Sequence, residues 1–435
     1  MLNQRYGIAS LSLAVLMLST SQVFAGAFAL REQSAAFQGL SFAGYGTAAS
    51  SISTMFWNPA TITAHDGLNV ESVNSFIIPR GDVNTDSVTL QQAIPGMGVV
   101  DIPLDIIPNA ATGSVGDVGV AAWLPGTYGT YQYSPELYVG FSVNAPFGLS
   151  TKPNIISAGQ IYARSSKVLS VNATPMVGYK INEMVSVAVG LQAQYFQVRL
   201  KSATGVMTTS PTVELRGEDH LGFGGTAGLL LTPFEGTQIG VGYRSPIRHD
   251  LDGQLKVGSS SQNINADLVL PEQVNVSIQQ EVTPELRVMG TFEWTNWSRF
   301  GSFNVYNQSG IPIPQAALGF QYSDGYFLSF GAEYDFHQHV EGLTVRAGLG
   351  YEWSPISEKD RNIRLPDTDR LWVSGGFSYQ HNENLALDLG YSHLFAESDD
   401  INIGPGHPAY NGVVTYKGDV DAAVDIISLG LRYKF

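Results

Sequence analysis

From Ile427 to Phe435 every second residue is apolar (Ile427, Leu429, Leu431, Tyr433, Phe435), and Ser428, Gly430, Arg432 and Lys434 lie between them. A β-strand turns successive side chains to opposite faces. This alternation therefore needs one face in a low-dielectric medium and the other in a polar one. The same period recurs along the chain. Leu343, Val345, Ala347, Leu349, Tyr351 and Trp353 alternate with Thr344, Arg346, Gly348, Gly350 and Glu352. Leu385, Leu387, Leu389 and Tyr391 face away from Ala386, Asp388 and Gly390, and Val185 to Ala193 repeats the pattern. Mid-strand charges such as Arg346 and Asp388 are costly against lipid and cheap toward a polar lumen. The apolar faces are therefore expected to point outward into a membrane.

Composition agrees. Asp, Glu, Lys and Arg make up 14% of the 435 residues, against about 25% in a typical soluble domain. No stretch approaches the roughly 20 consecutive apolar residues that a spanning helix needs. Disorder is excluded by the 44% hydrophobic content and the absence of low-complexity tracts. The net charge of −15 argues against a nucleic-acid partner. With no cysteine there is no disulfide framework, thiol nucleophile or thiolate metal site. Residues 1–25 read as a secretory signal: Arg5, an apolar core from Ile8 to Leu18, and Val23-Phe24-Ala25 before a cleavage point after Ala25. A leader of this kind, together with a final strand closing on an aromatic residue, points to the bacterial outer membrane.

Fourteen strands are expected, near 68–80, 116–124, 137–146, 168–181, 184–200, 219–233, 236–246, 273–282, 286–295, 326–336, 342–353, 370–380, 384–394 and 423–434. Twelve and sixteen are the neighbouring even counts. Short turns such as Asn182-Glu183 and Phe234-Glu235 alternate with long segments such as 81–115 and 395–422. Short periplasmic turns and long outer loops are the signature of an outer-membrane barrel. A soluble propeller would need an internal repeat of about 40–50 residues, and none is visible. The expected fold is all-β: a transmembrane antiparallel barrel spanning residues 68–435. Residues 26–67 precede the first strand and are too apolar for a periplasmic tail. They are expected to pack in the lumen as an N-terminal plug.

Several motifs sit in this frame: Asn58-Pro59-Ala60, Ala122-Trp123-Leu124-Pro125 at the end of the second strand, Tyr243-Arg244-Ser245-Pro246-Ile247, and Trp294 to Phe300. A longer one runs from Leu365 to Ser374 (LPDTDRLWVS) and is followed by Asn384 to Tyr391. In order and spacing these resemble the FadL family of outer-membrane channels for hydrophobic compounds, over the whole mature chain. The resemblance implies a fourteen-stranded barrel occluded by a hatch. It also implies passive uptake of long-chain fatty acids or aromatic hydrocarbons, captured by outer loops and released sideways through the wall. The implied surroundings are outer-membrane lipid and lipopolysaccharide, with a monomer as the family default.

Candidate residues follow from both sources. Asn144, Pro146, Phe147 and Gly148 end the third strand. Proline there removes a ladder donor and glycine marks a bend. The resemblance makes this break the lateral exit, and the plain alternative is a strand-to-loop transition. Asn58, Pro59 and Ala60 are expected near that gap, with Asn58 tying the hatch to the kinked strand; the alternative is a turn boundary before Pro59. Arg199 and Lys201, after Tyr195-Phe196, are candidate carboxylate contacts or exposed strand-end residues. Trp294, Trp297, Phe300 and Phe303 line an apolar site, or form an interfacial girdle, the use favoured for the two tryptophans. Glu352 and Asp388 read as solvated lumen lining. No cofactor is expected. There is no Gly-x-Ser-x-Gly or His-Glu-x-x-His motif, and His337-x-His339 falls in a short turn with no third ligand. A hydrophilic porin and a barrel-embedded hydrolase are the rivals from other classes.

Overall fold

The computed structural model of the protein describes residues 26–48, 51–316 and 318–435, so the expected leader lies outside the described residues. Fourteen antiparallel strands form the wall: β1 Leu68–Ile94, β2 Ala122–Gln132, β3 Leu137–Asn144, β4 Ser165–Asn182, β5 Val185–Ala203, β6 Thr212–Phe234 and β7 Thr237–Arg244. They continue as β8 Gln273–Glu281, β9 Leu286–Thr295, β10 Gly325–Asp335, β11 Leu343–Trp353, β12 Arg370–Gln380, β13 Leu385–Ala396 and β14 Val414–Lys434. Each pairs with its neighbour in the chain, and β14 returns to β1, with Asn69 opposite Lys434 at one end and Leu90 opposite Val414 at the other. The ring of strands closes, so apart from the stretch where β2 and β3 part no strand edge is left to aggregate or to waste hydrogen bonds in lipid.

Alternation does what the pattern requires. Leu387, Leu429 and Leu431 are 43%, 46% and 47% exposed, while Asp388 and Ser428 on the opposite faces are 3% and 0%. The outer face is thus apolar and the charges point inward. No helix among the described residues is long and apolar enough to cross a membrane. Six of the connections are short. In the tightest, Gly236 adopts φ +77° between Phe234 and Thr237, a left-handed conformation that suits glycine in a two-residue hairpin.

Two expectations need correction. The second strand is Ala122–Gln132, not 116–124; Gly116 and Asp117 form only a two-residue bridge to Val83 and Asp82. Ala122–Pro125 therefore opens the strand instead of ending it. Pro125, Gly126 and Gly129 look like terminators in the sequence, yet Pro125 sits where the strand lacks a β3 partner, an edge on which proline is tolerated. Several segments taken as loops also continue the ladder. β1 and β14 extend outward as a paired ribbon, and Ile247–Val257 folds on Ser260–Leu270 and on β6. Both faces of these ribbons are wet, so residues such as Asp82, Asn84 and Thr85 carry no apolar period to read.

The segment 26–48 and 51–64 is buried almost throughout. It carries one short helix, Ala35–Gln38, and two 3-10 turns, Ile52–Phe56 and Pro59–Ala64. Ser34, Ser51 and Asn58 cap them by accepting from Phe37, Ser53 and Ala60 backbone N–H groups. Aromatics bind the segment together: Trp57 stacks on Tyr45 at 4.5 Å, and Phe42 meets Trp57 and Trp372 at 5.6 and 5.9 Å. Such pairs contribute about 0.5–1.5 kcal/mol each beyond their area.

Candidate functional site

The wall is interrupted between β2 and β3. Their pairing stops at Thr127 opposite Val143, leaving Ala122–Gly126 bonded only to β1. β3 ends at Asn144, opposite Asn172 of β4. The chain resumes pairing at Gly148, opposite Leu169, as the short strand Gly148–Thr151. Ala145, Pro146 and Phe147 bulge between them. Pro146 cannot donate a ladder hydrogen bond, and Phe147 N–H turns to the Ser170 hydroxyl (2.9 Å).

Phe28 to Gln33 run along this gap. Leu30 N–H donates to the Pro146 carbonyl and Gly148 N–H to the Phe28 carbonyl, both at 2.8 Å, with Ala29 and Phe147 bridged as in an antiparallel pair. Gln33 Nε2 donates to the Ala145 carbonyl (2.9 Å), and the Tyr128 hydroxyl to the Gln33 carbonyl (2.8 Å). Backbone groups of the 145–148 bulge are thus met in part by the extended run 28–33. Charge fixes its flanks. Arg31 pairs with Glu293 (2.8 Å) and Glu352 (3.4 Å) and lies over the Phe327 ring, while Tyr45 donates to Glu293. Gly26 N–H donates to Glu352 (3.1 Å) and Ala27 N–H to Asp367 (2.9 Å), which also pairs with Arg370. Glu352 and Asp388 are therefore not solvated lining. Both are 3% exposed, and Asp388 is held by Arg432 at 2.7 Å. Glu32, beside Arg31, is buried with neither carboxylate oxygen hydrogen-bonded, and burial raises its pKa to about 7.

On the outer side of Phe28 lies a narrow apolar cavity of about 50 Å³. Phe28, Val168, Phe196, Leu268, Phe300, Phe303, Phe320 and Tyr322 line it, and its one cation is Arg364. Arg364 donates to the Tyr162 carbonyl (2.6 Å) and the Ser166 hydroxyl (3.1 Å), has no carboxylate among its electrostatic partners, and is lowered by burial to about 10. A guanidinium facing apolar walls without a counter-ion suits one end of an anionic amphiphile. A second cavity of about 40 Å³ touches the other side of the segment, at Ala29 to Arg31, and reaches Pro146, Phe147 and Arg244.

The structure brings together Phe196 and Phe300 in the first cavity, and Asn144, Pro146, Phe147 and Gly148 at the wall interruption. Others fall elsewhere. Asn58 does not touch the kink: its Nδ2 donates to Gly46 (2.6 Å) and, on β6, to Leu229 (3.0 Å). Pro59 and Ala60 stand beside Gly228 of the same strand, and only the turn beyond them, at Ile62, reaches Gly140 of β3. The kink is instead met by residues 28–33, whose short extended run carries no motif. Arg199 and Lys201 both pair with Glu214, at 2.7 and 3.2 Å, and line neither cavity. The basic residue that lines the first cavity is Arg364; it was visible before Leu365-Pro366 but could not be placed without the loop's fold. Trp297 is not an interfacial anchor. It is 1% exposed and packs edge-on against Phe28 at 4.7 Å, whereas Trp294 is half-buried and donates to Asp324 (2.9 Å). Among the described residues no group of His, Asp and Glu could hold a metal ion.

Comparison with known proteins agrees with this architecture. A family model described as outer membrane protein transport protein (OMPP1/FadL/TodX) matches residues 16–435. The long-chain fatty acid transport protein of Escherichia coli O6:H1 is 25% identical, over 92% of this chain and 94% of its own. Outer membrane protein P1 of Haemophilus influenzae is 26% identical, with 88% and 89% covered. Among solved structures, a Pseudomonas aeruginosa FadL homologue superposes with a TM-score of 0.83 at 20% identity, over 94% of this chain and all of that one. The Pseudomonas putida toluene transporter TodX gives 0.63 at 14% identity, with 92% and 98% covered. A closed barrel of fourteen strands and a family match across nearly the whole sequence lead to one conclusion: the chain belongs to the OMPP1/FadL/TodX family of outer membrane transport proteins.

Proposed function

We propose that the protein is a passive outer-membrane channel for long-chain fatty acids. In this reading the leader is removed after Ala25, and residues 26–67 form a hatch that closes the barrel 68–435 at rest. The observation that carries it is the interrupted wall between β2 and β3 with Phe28–Gln33 bonded along it from inside. A hydrophilic porin has no use for either feature.

The route begins in the outer loops and leads to the aromatic cavity, where Arg364 holds the carboxylate. Movement of Phe28–Leu30 away from Pro146–Gly148 then opens the gap, and the acyl chain leaves sideways into lipid. Lateral exit keeps the chain out of water, at about 0.8 kcal/mol per CH₂, so the step needs no energy source and no cofactor. Asn58, Pro59 and Ala60 act at a distance. Bonded to β6 through Leu229, they hold the far side of the hatch while its N-terminal strand moves. Arg199 and Lys201 stay at the rim with Glu214. The channel works as a monomer among outer-membrane lipid and lipopolysaccharide.

Uptake of aromatic hydrocarbons is the second reading, favoured by the number of phenylalanines around the cavity. Labelled oleate and labelled toluene, offered to a strain lacking its own transporter with and without this protein, separate the two. Oleate entry is expected. Toluene entry alone would shift the assignment to the second reading, and entry of neither with a folded barrel would end the uptake proposal.

A further inference from the structure

We propose that Arg244 is a second carboxylate station, which takes over the fatty-acid headgroup between the Arg364 cavity and the gap in the wall. The proposal rests on the uptake reading above and deepens it.

Arg244 closes β7 and is 7% exposed. Its guanidinium lies 4.2 Å from the centre of the Phe56 ring and donates to the Phe56 carbonyl (2.8 Å) and to Gln192 Oε1. Both partners are neutral, and no carboxylate is among its electrostatic partners. A buried cation without an anion is costly to keep, and most of this lumen avoids one. Arg31, Arg346, Arg370 and Arg432 each sit against Glu or Asp. Arg164 also faces only neutral groups, Gln160, Ser210 and Thr212, but it borders neither cavity and braces a loop.

Arg244 differs in its position. It lines the second cavity together with Leu30, Pro146 and Phe147, the residues whose backbone contacts close the wall. Glu293 lines that cavity too and would repel an anion. It is already engaged by Arg31 at 2.8 Å and by the Tyr45 hydroxyl. Arg364 and Arg244, two guanidiniums without a carboxylate partner, thus lie one in each cavity, and both cavities border the extended run Phe28–Leu30. A carboxylate leaving Arg364 for the gap would otherwise cross a low-dielectric space without a partner. Arg244 supplies that partner next to the exit. A neutral ligand gains less than a carboxylate from either group, so the pair of arginines also acts as a headgroup filter.

The test compares uptake of labelled oleate with labelled oleyl alcohol, which has the same chain and no charge, in cells producing the wild type, Arg244→Gln or Arg244→Lys. Loss of one charge-assisted contact corresponds to about a tenfold change. The expected result is an oleate rate about tenfold lower in Arg244→Gln, with the alcohol rate within about twofold of wild type. Arg244→Lys should keep the wild-type ratio. Equal loss of both substrates would make Arg244 only a brace for Phe56, and unchanged oleate uptake would also overturn the proposal. If Arg244→Gln does not reach the membrane folded, Arg244→Met takes its place, and an oleate-to-alcohol ratio unchanged from wild type in that variant overturns the proposal. Wild-type cells taking up neither substrate would instead refute the uptake reading, and the station with it.

Discussion

Glu32 is held among Arg31, Glu352 and Arg370 without a hydrogen bond to either carboxylate oxygen, and its pKa is raised to about 7. An acid whose pKa is higher in the docked state binds its proton more tightly there than when free. Docking is then favoured below the ordinary carboxylate range and weakens as pH rises from about 4.5 to about 7. The N-terminal segment should therefore be more readily cleaved by added protease at pH 7.5 than at pH 5. Glu32→Gln should reduce that difference by removing this carboxyl's contribution. An unreduced pH dependence in the variant would place the responsible group elsewhere. None of this was legible beforehand, because burial is a property of the closed lumen and the sequence shows only Arg31-Glu32-Gln33. Phe196 and Phe300 line the first cavity, and their aromatic character near the outer loops was readable in the sequence. The pairing of Arg199 and Lys201 with Glu214 was not legible, because Glu214 lies on a strand whose outer half was read as loop.

Strands whose two faces meet different media were legible almost to the residue, as at β11 and β13. Strands that leave the membrane, or lose a partner, were not. β2 is the instructive case: its inner face meets the N-terminal segment through Leu124 and Tyr128, and its β3-side edge is bare beyond Thr127. Proline and glycine there signal a strand that is interrupted on one side instead of finished. The same edge offers a direct test of gating. Ala29 and Phe147 face each other as an antiparallel pair, a geometry whose Cα separation of roughly 4.5–5.5 Å suits a disulfide, and the chain has no cysteine to interfere. Ala29→Cys combined with Phe147→Cys should transport under reducing conditions. Oxidation should stop uptake and a reductant should restore it. Uptake unaffected by oxidation would mean that Phe28–Leu30 need not move.

For the whole molecule, the barrel and the segment within it carry complementary chemistry. The inward faces hold Glu71, Glu293, Glu333, Arg346, Glu352 and Asp388, all at most 4% exposed, and several of their partners come from residues 26–53. Deleting residues 26–66 should leave a barrel that still migrates as a heat-modifiable folded form, since its wall pairing is complete without them apart from the β2–β3 gap. It should also show a large steady ion conductance in planar bilayers that the intact protein lacks. A silent deletion variant would mean that the outer loops close the lumen unaided. The fit between the two parts has a further consequence. At Gly348 a Cβ would fall on the Leu40 carbonyl, and at Gly240 on that of Gly46, so wall and segment meet there backbone to backbone. Contacts that close leave no room for a side chain between wall and segment, so the segment can dock only where the wall presents bare backbone. A side chain at either glycine would then appear first as an undocked segment, before any cargo is offered.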